Sequence, residues 1–334
     1  MPDHRFDGQV AIVTGAGRGI GRSHAELLAS RGARVIVNDL GVGADGMGVD
    51  SGPAQDVVSA IRSAGGIAEA DSSDIADPVG AQAIVEHAID SFGRIDILVN
   101  NAGIFDTDEF PTLPVAAMHR FFDVHVGGSF NVSRAAWPYM AAANYGRIVM
   151  TSSTGMLGAS NQLAYGTAKA GVLGLARALA AAGKPAGIKV NTVAPMARTR
   201  MIRSAPPPDG LDRDPALVSP LVAYLCHADC PVSGEAFVAG MRRYSRIFIA
   251  ETDGYVHPDA QVSIEDVVGN WDAVMNPAAY FVADDMRHWI AINTERISAR
   301  TSRGSVPGGD QGDDQGGDQG DEQGGEQGGE PWQG

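Results

Sequence analysis

The chain has 334 residues, 44% of them hydrophobic and 6% aromatic, with a formal net charge of −15. That is enough apolar sequence for one large domain or two small ones without covalent staples, and the acidic balance excludes a general nucleic-acid binder, which needs clustered Lys and Arg. Two cysteines, Cys226 and Cys230, cannot form a disulfide framework and suit a reducing cytosol, and no apolar run approaches the roughly 20 residues of a membrane span. The first residues lack a signal-peptide layout and the last four, PWQG, are no targeting address, so a cytoplasmic protein with no membrane partner is expected.

Five short β-branched runs follow one another: residues 10–15 (VAIVTG), 33–39 (ARVIVND), 96–103 (DILVNNAG), 146–153 (GRIVMTSS) and 188–195 (IKVNTVAP). Each reads as a buried strand followed by turn residues and a stretch long enough for a helix. This α/β alternation predicts a doubly wound parallel sheet with helices on both faces, where ligands sit at the C-terminal ends of the strands. Residues 41–52 (GVGADGMGVDSG) interrupt it as a Gly-rich surface loop. After Pro231 the alternation fades, and Ser263 is placed to cap a helix that buries Val267, Trp271 and Val274. The division expected is one domain over 1–302, with a core at 6–230 and a C-terminal extension at 231–302 packed on it. Residues 303–334 repeat Gly, Gln and acid, carry −7 of the net charge, and are expected to be a disordered solubilising tail.

The run TGAGRGIG puts Gly15, Gly19 and Gly21 directly after the first strand, with Arg18 and Ile20 among them. Glycines there let backbone approach a pyrophosphate, which the N-terminus of the next helix stabilises. The second strand ends in Asp39, about twenty residues on, where a carboxylate accepts bonds from an adenosine ribose diol and repels a 2′-phosphate. Arg18 pulls the other way, as a cation able to meet that phosphate. Asp39 weighs more, because its charge at the ribose excludes a dianion, whereas Arg18 can turn to solvent or to the pyrophosphate. The expected cofactor is therefore NAD rather than NADP, on a Rossmann-type sheet.

Residues 164–171, AYGTAKAG, set Tyr165 and Lys169 four apart, on one face of a helix. A phenol with its ordinary pKa near ~10 is a poor acid–base at neutral pH, and an adjacent ammonium is expected to lower it. Thr151, Ser152 and Ser153 close the preceding strand with hydroxyls suited to holding a substrate oxygen.

TGAGRGIG at 14–21, NNAG at 100–103, Ser152, and the Tyr165 and Lys169 pair resemble, in order and spacing, the motifs of short-chain dehydrogenases/reductases over roughly residues 6–230. The resemblance implies Tyr165 as catalytic acid–base, Lys169 as the residue that tunes it and holds the nicotinamide ribose, and a serine that orients the substrate oxygen. The family's usual interval before Tyr165 gives Ser152; matching the doubled serine as a unit gives Ser153. The resemblance also implies Asn101 and Gly103 beside the cofactor, Asp74 and Ile75 at the adenine, and Pro195 and Thr199 flanking the nicotinamide. Where most members carry Asn in the fourth helix, this chain has His125 within FFDVHVGGSF. The same replacement, and similar stretches at 37–48, 133–140, 145–153 and 219–230, are found in the (3R)-hydroxyacyl-CoA dehydrogenase module of multifunctional enzyme type 2 and its bacterial relatives. His125 either passes protons from Lys169 to solvent or fills the kinked helix as a packed polar residue.

These features predict an oxidoreductase that interconverts a secondary alcohol and a ketone, by resemblance a 3-hydroxyacyl-CoA and a 3-ketoacyl-CoA. The alternatives are a dehydrogenase of free alcohols, sterols or sugars, and a non-catalytic NAD-binding sensor or scaffold, against which the intact Ser152, Tyr165 and Lys169 stand. Arg198, Arg200 and Arg203, then Arg242, Arg243 and Arg246, suit the phosphates of CoA or serve equally as paired surface residues. The CHADC run brings Cys226, His227 and Cys230 together but lacks the second ligand pair of a structural zinc site, so no metal is expected. Small residues along a helix at 163–182, from Ala164 to Ala180, allow close helix approach, in a homodimer or homotetramer or within one subunit.

Overall fold

The computed structural model describes residues 4–42, 48–107, 109–199, 210–259 and 261–303. Residues 43–47 of the Gly-rich loop, Arg200 and Arg203, and residues 304–334 of the tail lie outside them. In chain order the main elements are β1 (Val10–Thr14), α1 (Gly19–Ser30), β2 (Arg34–Asn38), α2 (Gly52–Ser63), β3 (Ile67–Asp71), α3 (Pro78–Phe92), β4 (Ile97–Asn100), α4 (Val115–Phe122), α5 (Gly128–Ala142), β5 (Gly146–Thr151), α6 (Leu163–Gly183), β6 (Ile188–Met196), α7 (Ser219–Cys226), β7 (Ala236–Gly240) and β8 (Arg243–Ile247). The eight strands make one sheet in the order β3-β2-β1-β4-β5-β6-β7-β8, parallel throughout except for the β7–β8 hairpin.

The five runs read as strands become β1, β2, β4, β5 and β6. Their two-residue period divides the core between the faces of the sheet. Ala11, Val13, Val35, Val37 and Val99 pack with Leu28, Val57 and Leu225 of α1, α2 and α7. Val10, Ile12, Ile36, Leu98 and Ile148 pack with Ile84, Val132 and Val172 of α3, α5 and α6. Each such side chain, fully buried, contributes about 1.5–3 kcal/mol. The chain order reverses direction between β1 and β4, which opens the crevice at the strands' C-terminal ends.

Three strands escaped the sequence pattern. β3 is an edge strand with Ile67 half exposed, and its Glu69 and Asp71 dilute the hydrophobic run that marks a central strand. β7 and β8 lie where the alternation was expected to fade; Ala236–Gly240 pairs with β6 and completes the parallel part of the sheet.

The described residues divide into two compact units, those up to Glu251 with Tyr280–Trp289, and Thr252–Ala279 with those from Ile290 on. In the second unit Ser263 does cap a helix, Ile264–Gly269, through reciprocal bonds: Asp266 N donates to Ser263 Oγ at 3.2 Å and Ser263 N to Asp266 Oδ2 at 2.9 Å. The burial expected behind that cap is absent, since Val267 and Trp271 are 40% and 53% exposed. The helix ends at Gly269 and Trp271 opens a new one, so the residues share no continuous helical face. Among the described residues no helix is long and apolar enough to cross a membrane.

Candidate active site

Every residue assigned above to catalysis or cofactor contact lines one cleft of about 1330 Å³, built by the turns that follow the sheet's strands. The β1–α1 turn forms one end. Gly15 and Gly19 have φ of 63° and 55°, and a Cβ on Gly15 would stand 2.7 Å from the Ala102 Cα. The neighbouring NNAG turn is strapped to it: Asn101 Nδ2 donates to the carbonyls of Thr14 and Gly15 at 3.0 and 3.1 Å, and Thr14 Oγ1 accepts from the main-chain N–H groups of Asn101 and Ala102.

Asp39 follows β2 and is buried. Its carboxylate accepts from Gly17 N and Gly41 N, both at 2.7 Å. Gly17, a residue the sequence reading passed over, is required here because a Cβ would lie 2.7 Å from Asp39 Oδ2. The Arg18 side chain reaches back to the Val42 carbonyl at 3.5 Å. Beyond β3, Asp74 is exposed and accepts from Ala76 N, while Ile75 is buried against Gly128, with its carbonyl held by Asn131. At the far side, Pro195 is the last residue but one of β6 and Thr199 packs over Gly19.

The other end is built on α6, where Tyr165 and Lys169 emerge one turn apart. The two serines differ. Ser152 is buried, and its hydroxyl donates to the Lys169 carbonyl at 2.7 Å. Ser153 opens the short helical turn Thr154–Leu157, accepts from Gly155 N at 3.0 Å, and lies on the Tyr165 side of that turn, where a Cβ on Gly155 would stand 3.4 Å from Ser153 Oγ and 3.3 Å from Tyr165 Cε1. Burial raises the Tyr165 phenol above its ordinary range, and the nearby Ser153 hydroxyl draws it partly back. The expected lowering by Lys169 is not found. Lys169 is itself buried, which pushes its ammonium down to about 7; Nζ donates to the Thr151 carbonyl at 2.7 Å and lies 5.7 Å from the Tyr165 ring centre.

His125 sits in a π-helical turn, Asp123–Gly127, between α4 and α5. Gly103 makes room for the ring, since a Cβ there would stand 2.4 Å from Cε1. Phe121 stacks on it and Tyr165 meets it edge-on. His125 Nε2 is 2.9 Å from the Ile104 carbonyl, and Nδ1 is buried without a partner. Burial, with the Lys169 charge second, holds this imidazole well below its ordinary range. The ring is therefore neutral, with its proton on Nε2, and does not titrate near neutrality.

A profile described as short chain dehydrogenase matches residues 9–208. A short-chain type dehydrogenase/reductase of Mycobacterium tuberculosis is 40% identical over 265 residues, 79% of this chain and 92% of that protein. The chain belongs to the short-chain dehydrogenase family. Peroxisomal multifunctional enzyme type 2 of Mus musculus is 41% identical over 81% of this chain, which spans only 37% of that enzyme. The solved structure of the full-length enzyme of that name from Drosophila melanogaster superposes with a TM-score of 0.74 at 31% identity, covering 89% of this chain and 51% of that one. As a short-chain dehydrogenase with relatives of this kind, the protein is an oxidoreductase acting on CH–OH groups.

Two further groups in this short-chain dehydrogenase now have places. Arg242 pairs with Asp212 at 3.3 Å and Arg246 with Glu235 at 2.5 Å, so these two arginines are the paired surface residues of the alternative reading. Cys226 and Cys230 are both buried thiols, and burial pushes the Cys226 thiol up. His227 turns away from them, meeting the His4 ring edge-on at 4.8 Å and the Asp229 carboxylate at 3.5 Å.

Proposed function

We propose that this short-chain dehydrogenase oxidises the secondary alcohol of a 3-hydroxyacyl-CoA, with NAD as cofactor. The observation that carries the reading is that Ser153, Tyr165 and Lys169 line the same cleft as the Asp39 carboxylate. Tyr165 Oη takes the hydroxyl proton from the substrate while Ser153 Oγ, in place of Ser152, holds the alcohol oxygen. When bound, a nicotinamide dinucleotide supplies the hydride acceptor and a positive charge near the phenol. The glycine cradle fits such a group, because Gly15, Gly19 and Gly21 line the cleft without side chains, and a Cβ on Gly15 or Gly21 would collide with the neighbouring turn. Tyr165 must be a phenolate to accept that proton, and Lys169, buried and half-neutral near pH 7, is suited to taking it on from the tyrosine after the step, while His125 supports the site through its fixed ring. Asp74 and Ile75 border the adenine, and Asn101, Pro195 and Thr199 hold the turns around the nicotinamide.

Asp39, fixed by two backbone N–H groups, supports NAD over NADP because a second negative charge at that place is repelled. The acyl-CoA assignment rests on likeness to the dehydrogenase part of the multifunctional enzymes. Thr167, Ala170, Gly174 and Ala178 form an exposed small-residue stripe along α6, which supports pairing with a second copy in a homodimer or homotetramer. A cytoplasmic location is part of the same reading, although the relatives named above include peroxisomal enzymes.

The test is NADH formation by purified protein across 3-hydroxyacyl-CoA thioesters and free secondary alcohols. Turnover of the thioesters with NAD preferred over NADP is expected; turnover confined to free alcohols overturns the substrate, and none with any alcohol overturns the activity.

A further inference from the structure

β7 ends at Gly240 and β8 begins at Arg243, so Met241 and Arg242 alone make the hairpin turn. Both have left-handed backbone, with φ of 49° and 61°. Two-residue hairpins of this hand require positive φ at both central positions, which Asn-Gly adopts readily. Met and Arg carry a Cβ that opposes it. Among the described residues the other non-glycine with positive φ is Asn144, a type that tolerates it. Backbone strain of this kind persists where surroundings impose it, and it concentrates at functional sites.

The surroundings do impose it. Gly240 pairs with Met196 across β7 and β6, so closely that a Cβ on Gly240 would stand 2.2 Å from the Met196 carbonyl. Just past the turn, Tyr244 Oη donates to the Leu217 carbonyl at 2.9 Å. Met241 is thereby held half-buried in the wall of the cleft, beside Met196 and beyond Pro195.

We propose that Met241 is a substrate-specificity residue, held by the strained turn as a soft wall against an apolar part of the substrate beyond the reacting carbon. The inference rests on the reading that an alcohol is oxidised in this cleft. An unbranched thioether chain adapts to irregular apolar shapes, which suits an acyl chain or a ring system. An Asn-Gly turn would relieve the backbone and present no such surface.

The experiment compares wild type with Met241→Ala and with Met241→Asn/Arg242→Gly. It measures kcat/KM over two series of increasing apolar bulk, 3-hydroxyacyl-CoAs and free secondary alcohols, together with Tm. Met241→Ala is expected to lower kcat/KM for the bulkiest members, relative to the smallest, by about 10-fold or more. The double variant is expected to show the same change in selectivity while its Tm rises by about 2 °C or more, because the exposed Arg242–Asp212 pair it loses is worth little. Losses equal across a series, no loss, or an unraised Tm overturn the proposal. Wild-type turnover restricted to free alcohols removes the acyl-CoA substrate but leaves that series to decide Met241, and the Tm comparison decides the strain without any substrate.

Discussion

The Ser152 hydroxyl donates to the main-chain carbonyl of Lys169 at 2.7 Å. The bond faces Ser152 into the α6 backbone, and the next residue, Ser153, is the one whose hydroxyl lies on the Tyr165 side. Ser153→Ala and Tyr165→Phe are each expected to lower kcat by about 100-fold or more. Ser152→Ala removes one buried hydrogen bond to a carbonyl that α6 also pairs, a loss of about 0.5–1.5 kcal/mol of stability, and should keep kcat per folded molecule within a few-fold. Steady-state kinetics beside thermal melts separate them; a dead Ser152→Ala enzyme with wild-type Tm reverses the assignment.

Asp39 accepts from Gly17 and Gly41, so its carboxylate is fixed before any cofactor arrives. Asp39→Ala should weaken NAD and admit NADP, narrowing the NAD:NADP ratio of kcat/KM by about 10-fold or more. A wild type that already prefers NADP gives the deciding weight to Arg18 instead.

Lys169 has a pH signature in stability. Its ordinary value is 10.5, and burial pushes the folded value down to about 7. Between these, the unfolded chain binds a proton that the folded chain does not, so this group's contribution to stability rises with pH. Lys169→Met removes the group. The Tm of the variant minus that of wild type should be largest at or below pH 7 and shrink toward pH 10, measured by calorimetry at three pH values. A difference that stays level or grows with pH contradicts the buried amine.

His125 donates to the Ile104 carbonyl through Nε2 and is kept neutral by burial. A relay through a charged imidazolium is therefore not expected. His125→Leu should destabilise the fold by leaving that carbonyl unpaired, about 1–3 kcal/mol. His125→Asn should keep kcat within about 10-fold, with the neutral limb of its pH profile unmoved. A shifted limb would mean that the ring titrates during turnover.

The parallel sheet, the glycine cradle, Asp39 and the Tyr165–Lys169 pair were legible in the sequence because each depends on short-range geometry. A buried run announces a central strand, a strand followed by glycines and a helix announces a phosphate turn, and residues four apart share a helix face whatever packs around them. The edge strand β3 and the strands β7 and β8 were not legible, since their identity lies in pairing with β2, with β6 and with each other, which local composition does not record.

The sequence alone determined which residue types the cleft would contain; the tertiary structure decided what state each one is in. Adjacent residues at the end of a strand face opposite ways, so one residue of difference in counting separates Ser152 under α6 from Ser153 on the Tyr165 side of the cleft. Burial, a property of the packed whole, sets the charges of Tyr165, Lys169 and His125, and reverses the lowering that spacing alone predicts for Tyr165. Met241 enters the cleft only because β7 is clamped to β6 and the hairpin beyond it has nowhere else to turn.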